Sequence, residues 1–306
     1  MSPWIERTLR ETPLRANSLI ITLYGDAILP HGGAALLGSL IKLISPLGIK
    51  ERAVRTSVFR LVQEGWLEAT PIGRRSEYRL TDIGRSRIHH AYHRIYDTPD
   101  KPWNGQWQIA IIPEGKLPPD KREALRSDLQ WDGYGTIAPG VLAQPSDDTQ
   151  RLHEILKQTE SNDSVLMMSA QTQDGIAGKA LQAMVQQCWK LDQLAENYER
   201  FIEHFKPVKA WLSENKTQNP EQHFVIRTLL IHEFRRVQLR DPQLPERLLT
   251  KKWPGNAARA LCRELYKQLL PLSEQHLAST METANGILPE ADTSLQLRFG
   301  GNSHQT

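Results

Sequence analysis

The sequence predicts an α+β protein with an N-terminal winged helix-turn-helix, a central ferredoxin-like βαββαβ domain and a C-terminal helical domain. Three features carry that expectation: an apolar-striped basic helix followed by an arginine-tipped hairpin, a β-α-β-β-α-β order of apolar patterns in the middle, and helical periodicity through the last third. A length of 306 residues suits two or three domains, and 39% hydrophobic with 24% charged residues excludes collagenous, disordered and disulfide-scaffold classes. The longest apolar runs, such as Leu19-Ile20-Ile21 and Ile109 to Ile112, fall far short of the roughly 18 residues a membrane span needs, so no membrane partner is expected. Met1 to Arg10 mixes Arg and Glu without an apolar stretch before a cleavage site, and a cytoplasmic location is expected.

The winged helix-turn-helix is expected over residues 15–97. Asn17 to Gly25 and Ala34 to Ile44 read as short helices, with Leu19, Ile20 and Leu23, then Leu36, Leu37, Leu40, Ile41 and Ile44, at helical spacing around a Pro30-His31-Gly32-Gly33 turn. Ser45-Pro46-Leu47-Gly48 stops the second. Lys50 to Gln63 is a third helix, apolar at Val54, Val58, Leu61 and Val62. Gly65 can end it, and Trp66 to Thr70 and Glu77 to Leu80 read as strands joined through Pro71 to Ser76, with Arg74 and Arg75 at the tip. Thr81-Asp82 caps a further helix, about Ile83 to Tyr96.

Asp97 to Pro102 is the best linker. Beyond it, residues 103–172 are expected to form the ferredoxin-like domain: strand Trp107 to Ile112, helix Asp120 to Trp131, two short strands within Gly133 to Leu142, helix Asp147 to Gln158 and strand Val165 to Ala170. Helices on one face leave the other sheet face to be covered, by a second copy or by later helices. Residues 175–278 read as a helical domain, with helices over Gly175 to Phe205, His223 to Arg240 and Ala257 to Leu272. The polar segment 279–306 reads as a poorly ordered tail. Cys188 and Cys262 sit in apolar helical patterns and are expected as buried free thiols.

Charge distribution points to nucleic acid. Between Lys50 and Arg94 ten basic residues face five acidic ones, a local excess of +5 inside a chain of net charge +3. Major-groove recognition needs a helix that offers cations and hydroxyls, and a wing needs cations that reach the backbone. The candidate DNA-contacting residues are therefore Lys50, Arg52, Arg55, Thr56, Ser57, Arg60, Arg74 and Arg75.

Catalytic and metal signatures fail on inspection. His89, His90 and His93 lack a further ligand at known spacing. His232-Glu233-Phe234-Arg235-Arg236 starts like a zinc-protease motif but has Arg236 where the second His belongs. The glycines from Gly133 to Gly135 are followed by Pro139-Gly140 rather than a helix, and Gly178-Lys179 lacks the full phosphate-loop spacing. No catalytic residue, metal or cofactor is assigned. His232, Arg235 and Arg236 cluster on one helix and are the candidate ligand-binding residues, since paired guanidiniums can hold an anion.

Taken together, Leu23-Tyr24-Gly25-Asp26, His31-Gly32-Gly33, Glu51 to Thr56, Phe59-Arg60-Leu61, Glu64 to Leu67 and Ile72 to Ser76 resemble the PaaX family of repressors of phenylacetic acid degradation operons. The resemblance continues through Trp103 to Trp107, Ala138-Pro139, Cys188-Trp189, Phe205-Lys206-Pro207, Leu230 to Val237 and Asp241 to Pro245, covering about residues 15 to 275. It implies a GntR-like winged helix that binds palindromic double-stranded operator DNA as a homodimer and is released by phenylacetyl-coenzyme A as its effector. It also implies a middle domain similar to a small CRISPR-associated nuclease. The first strand of that domain here, Gln108 to Pro113, has no Asp, which favours dimerisation over cleavage. The alternative is a nucleic-acid hydrolase or acyl-coenzyme A thioesterase with an accessory DNA-binding domain. The ligand is expected where the middle and C-terminal domains meet, with Arg235 or Arg236 on its phosphates.

Overall fold

In the computed structural model, which describes residues 3–97, 103–172, 178–214 and 219–300, the basic helix is present as α4, Glu51–Gln63. Val54, Ser57, Val58 and Leu61 recur at helical spacing and are buried, which sets the side of α4 that faces the core. Each such apolar side chain contributes roughly 1.5–3 kcal/mol by leaving water. Before it come α1, Pro3–Glu11, α2, Ala16–Leu23, and α3, Leu37–Ile44. A short turn ends at Gly48, whose φ of +76° favours glycine, and leads from α3 into α4.

Ala34–Leu36 is a strand, β1, rather than the first turn of α3. It pairs with β3, Arg75–Leu80, matching Ala34 to Arg79 and Leu36 to Glu77, so ladder bonds with a distant segment override the helical spacing of its apolar residues. The sheet order is β1-β3-β2, with β2 at Leu67–Ile72. Pro71 is tolerated because β2 is an edge strand. The hairpin turns at Gly73-Arg74, with Gly73 at φ +58°. Helix α5, Asp82–Tyr96, follows; the Thr81 hydroxyl accepts from the Gly84 amide at 2.9 Å and caps it.

The chain forms two compact units. One joins residues 1–98 with 200–236 and 256–306, and the other joins 99–199 with 237–255. The helical segment expected as a separate domain at 175–278 is thus shared between them. Its helices are α8, Gly178–Cys188, α9, Leu191–Glu214, α10, Pro220–Gln238, and α11, Pro254–Thr280. The segment 279–300 is also packed, contrary to the expectation of a poorly ordered tail. It forms a small hairpin of β8, Glu282–Thr283, and β9, Gly286–Ile287, then α12, Ser294–Leu297, and buries Leu288, Leu295, Arg298 and Phe299. Its anchors are isolated residues without periodicity, so no helical or strand pattern announces them. Most of the linker expected at Asp97 to Pro102, and residues 173–177, lie outside the described residues.

In the second unit, β4, Gln106–Ile111, β5, Gly135–Ala138, β6, Val141–Gln144, and β7, Leu166–Gln171, form an antiparallel sheet in the order β5-β6-β4-β7. Helices α6, Pro119–Trp131, and α7, Thr149–Gln158, cover one face around Ala110, Leu125, Leu129, Leu142, Ile155 and Leu156. This is the expected ferredoxin-like arrangement.

The first unit has a charged core. Arg227 of α10 is fully buried, with its Nε 2.9 Å from Asp26 Oδ2, and its Nη1 also binds Glu274 of α11. Arg298 donates from Nη1 to Asp26 Oδ1 at 3.0 Å and to the Tyr266 hydroxyl at 2.7 Å. The Tyr96 hydroxyl donates to the same Asp26 oxygen at 2.6 Å. Removing one member of such a set leaves a buried charge unpaired, at a cost of about 3–5 kcal/mol.

His31 extends the network. Its Nε2 meets Glu274 Oε2 at 2.8 Å and its Nδ1 meets the Pro289 carbonyl. Both partners only accept, so both ring nitrogens must carry protons for the two bonds to form together. Burial opposes the charged ring, but Glu274 and Pro289 outweigh it, and the pKa lies above the ordinary 6.5. A raised histidine stabilises the fold fully below about 6.5, the unfolded value, and that contribution is lost as pH rises through the folded value. Thermal melts from pH 5.5 to 9 should therefore show a wild-type advantage over His31→Gln that is largest in mild acid and shrinks in alkali. A pH-independent difference would contradict the imidazolium assignment.

Candidate nucleic-acid interface

Burying the stripe 54, 57, 58 and 61 leaves the opposite side of α4 to solvent. Arg52, Arg55, Thr56, Phe59 and Arg60 are all exposed there, at intervals that place them along one face, with Lys50 exposed at the N-cap. The turn of the wing exposes Arg74 and Arg75. The structure thus presents seven of the eight candidate DNA contacts at the surface of one winged helix. Ser57 is the exception, being only 8% exposed. Its place beside Val54, Val58 and Leu61 in the helical repeat puts it toward the core, so it is corrected to a packing residue.

The exposed cations differ in how far they are already engaged. Arg55 donates from Nε to Glu51 Oε1 at 2.8 Å, one helical turn away, and Arg75 reaches Glu282 Oε2 at 3.1 Å. Among the described residues, no carboxylate pairs with Lys50, Arg52, Arg60 or Arg74. Exposed pairs are worth no more than about 1 kcal/mol, so a phosphate can displace either carboxylate. Thr56 turns its hydroxyl onto the Arg52 carbonyl at 2.9 Å, leaving chiefly its methyl and an acceptor lone pair to face outward.

Sequence reasoning passed over Phe59. At 64% exposed it is the most solvent-accessible large apolar residue on α4, and an apolar side chain there is chemically suited to a thymine methyl. Its position seven residues after Arg52 was the available signal.

The wing is braced by the C-terminal segment. The Ala284 amide donates to Glu77 Oε1 at 2.7 Å, the Glu282 amide donates to the Ser39 hydroxyl at 3.1 Å, and Arg79 pairs with the buried Glu77. Helix α2 packs along α4, and the Tyr24 hydroxyl donates to the Tyr78 carbonyl in the wing at 2.9 Å.

The candidate ligand residues separate. His232 is buried, with Nδ1 2.9 Å from the Thr22 hydroxyl of α2; burial, then Arg235 and Arg236, push its pKa down to about 4, so it is neutral at pH 7. Arg235 donates from Nη1 to the same hydroxyl at 3.1 Å and to the Ser18 carbonyl at 3.4 Å. Arg236 is exposed and bridges to Glu233, so it does not join the other two. Adjacent residues on a helix point about 100° apart, which is why a consecutive Arg pair need not converge. Cys262 is buried as expected, whereas Cys188 is half-buried.

In the central domain, where a hydrolase would place its chemistry, Arg126 holds the Glu123 carboxylate through both oxygens, at 2.7 Å from Nη2. Among the described residues, no three His, Cys, Asp or Glu side chains gather as a metal site, and no helix is long and apolar enough to cross a membrane.

Comparison with known proteins places this geometry. Residues 15–84 match the PaaX-like protein family, 100–182 the PaaX protein central Cas2-like domain, and 189–279 the PaaX-like protein C-terminal domain. The transcriptional repressor PaaX of Escherichia coli strain K12 is 37% identical over 302 residues, covering 98% of this chain and 95% of that protein. The chain belongs to the PaaX family. A solved structure, the uncharacterized protein Rv0674 from Mycobacterium tuberculosis, covers 86% of this chain with a TM-score of 0.57 and 22% identity, and shares the fold. The PaaX-family winged helix is therefore the part of the molecule whose exposed cations are described above.

Arg60→Ala should weaken operator binding by about 1–3 kcal/mol if the residue reads a base. Arg74→Ala should flatten the dependence of log affinity on log salt by about 0.9, the effect of one lost phosphate contact. Anisotropy titrations at several salt concentrations check both. Unchanged affinity and slope in both variants would remove these residues from the interface.

Proposed function

We propose that this protein is a DNA-binding transcriptional repressor of phenylacetic acid catabolic genes, released from its operator by phenylacetyl-coenzyme A, and that it acts in the cytoplasm. The observation that carries the reading is the exposed basic face of α4 beside an arginine-tipped wing, in a chain 37% identical to a named repressor along almost its whole length. Helix α4 enters the major groove, where Arg52, Arg55, Phe59 and Arg60 face base edges and phosphates, and Lys50, Arg74 and Arg75 hold the flanking backbone. The reading has no enzymatic step.

A palindromic operator requires two such helices related by a two-fold axis. The sheet face opposite α6 and α7 suits that pairing. Ile109 lies across from Met168 and Ile111 across from Leu166, and Val141 adds to the row beside Ile111. Leu166 is 55% and Met168 48% exposed, an apolar surface that a second copy of the same face would cover. We assign homodimerisation to this face.

A gel shift on the upstream intergenic DNA at fixed salt tests the reading, with sedimentation of the same samples reporting assembly. The wild type should bind as a dimer, release DNA with phenylacetyl-coenzyme A, and ignore phenylacetate and coenzyme A supplied separately. Leu166→Glu should sediment as a monomer and bind the operator more weakly. Binding that is insensitive to the thioester discards the effector, and a Leu166→Glu variant that remains dimeric discards the interface.

A further inference from the structure

A cavity inside the first unit is bounded by α2, α5 and α10. Ile21, Ile88, Ile95 and Ile231 make its walls apolar, with Trp66 and Tyr92 among its aromatic lining, and Arg235 and Arg87 contribute the guanidiniums. Its interior measures about 40 Å³, and about 400 Å³ once the open mouth is counted. A single water needs roughly 10–15 Å³ on this scale, so the interior takes a head group of two or three heavy atoms and leaves a larger body in the mouth.

Arg235 is the unexplained group. Arg235 is half-buried, and the charges near it in this unit are matched, with Asp26 between Arg227 and Arg298, and Glu274 between Arg227 and His31. Arg235 has only neutral acceptors, the Ser18 carbonyl and the Thr22 hydroxyl, and no carboxylate reaches it among the described residues. Burial lowers its pKa, the direction expected of a desolvated cation without a counter-charge. A half-buried guanidinium that meets only neutral oxygens still gains from a charged partner, so an anion or a strongly polarised carbonyl entering the cavity is a better acceptor than the two it has. The mouth adds a second cation: Arg87 stacks 5.0 Å from the Trp66 ring centre.

We propose that this cavity binds a small apolar carboxylic acid or its acyl ester, with Arg235 donating to the carboxylate or carbonyl oxygen and the apolar body lying against Ile88, Trp66 and Tyr92. The site rests on the effector reading above and gives the acyl end of that effector a place. It lies between α10 and the winged helix, within one unit, which differs from the placement at the junction with the middle domain expected from the sequence. The occupant touches α2, which packs along α4, and α5, which leaves the wing at Thr81. A body larger than the closed interior fits better when those two helices separate. It therefore favours that arrangement over the closed one and can change the pose of the recognition helix.

Calorimetry on the full-length protein tests the site, using phenylacetate, phenylacetyl-coenzyme A and coenzyme A alone. The wild type, Arg235→Gln and the cavity-filling Ala91→Phe are compared, and operator affinity without ligand confirms that each variant is folded. The expected result is binding of the acid or the thioester to the wild type, at least tenfold weaker binding to both variants, and unchanged operator affinity. Binding of the acid identifies a carboxylate site, and binding of the thioester alone identifies an ester site. If a variant holds the operator yet binds the acyl ligand as tightly as the wild type, the site is overturned while the effector reading stands. If the wild type binds neither acyl compound, the site and the effector reading fall together.

Discussion

The first unit depends on the Asp26 carboxylate being held between two buried guanidiniums. Arg227 comes from α10 and Arg298 from the last packed segment, whereas Asp26 belongs to the wide helical turn that continues α2 at Tyr24–Ile28. Three stretches distant in sequence therefore share one charge-neutralising contact, with the Tyr96 and Tyr266 hydroxyls also donating to Asp26 Oδ1. Burying any of these ions alone costs several kcal/mol, so the segments are held together or released together. The winged helix and the C-terminal helices are consequently one structural unit, although the chain between them passes through another.

That coupling ties the C-terminal segment to the wing. Glu282 pairs with Arg75 at the turn of the wing, and the Ala284 amide holds the Glu77 carboxylate. On α4 the division of labour is set by helix periodicity: one stripe is buried against α2 and the neighbouring core, and the other carries guanidiniums and Phe59 into solvent.

Periodicity also explains how much was legible in the sequence. Helix α4, the β2–β3 hairpin and the βαββαβ domain carry repeats of 3.6 or 2 residues, and those elements were readable. Ala34–Leu36 reads as helix because its apolar residues continue the pattern of α3; its strand state depends on a partner more than forty residues later. The packing of 279–300 rests on single anchors such as Arg298 and Phe299, which have no local signature. At the site, the basic residues were legible from type and position. Ser57 was misplaced by considering its chemistry before its helical phase, and Phe59 was overlooked because the candidate contacts were chosen as cations and hydroxyls. Arg235 and Arg236 look equivalent in sequence, and the fold distinguishes them by turning Arg235 onto Thr22 and Arg236 onto Glu233.

The most direct test of the account is hydrogen exchange on the intact chain with and without Arg298→Ala. If the charged contact unites the unit, amides of α2, α5 and α11 lose protection together in the variant, while those of the central sheet β4 to β7 keep theirs. Protection lost only near residue 298, with α2 unchanged, would contradict the claim that the winged helix and the C-terminal helices stand as one.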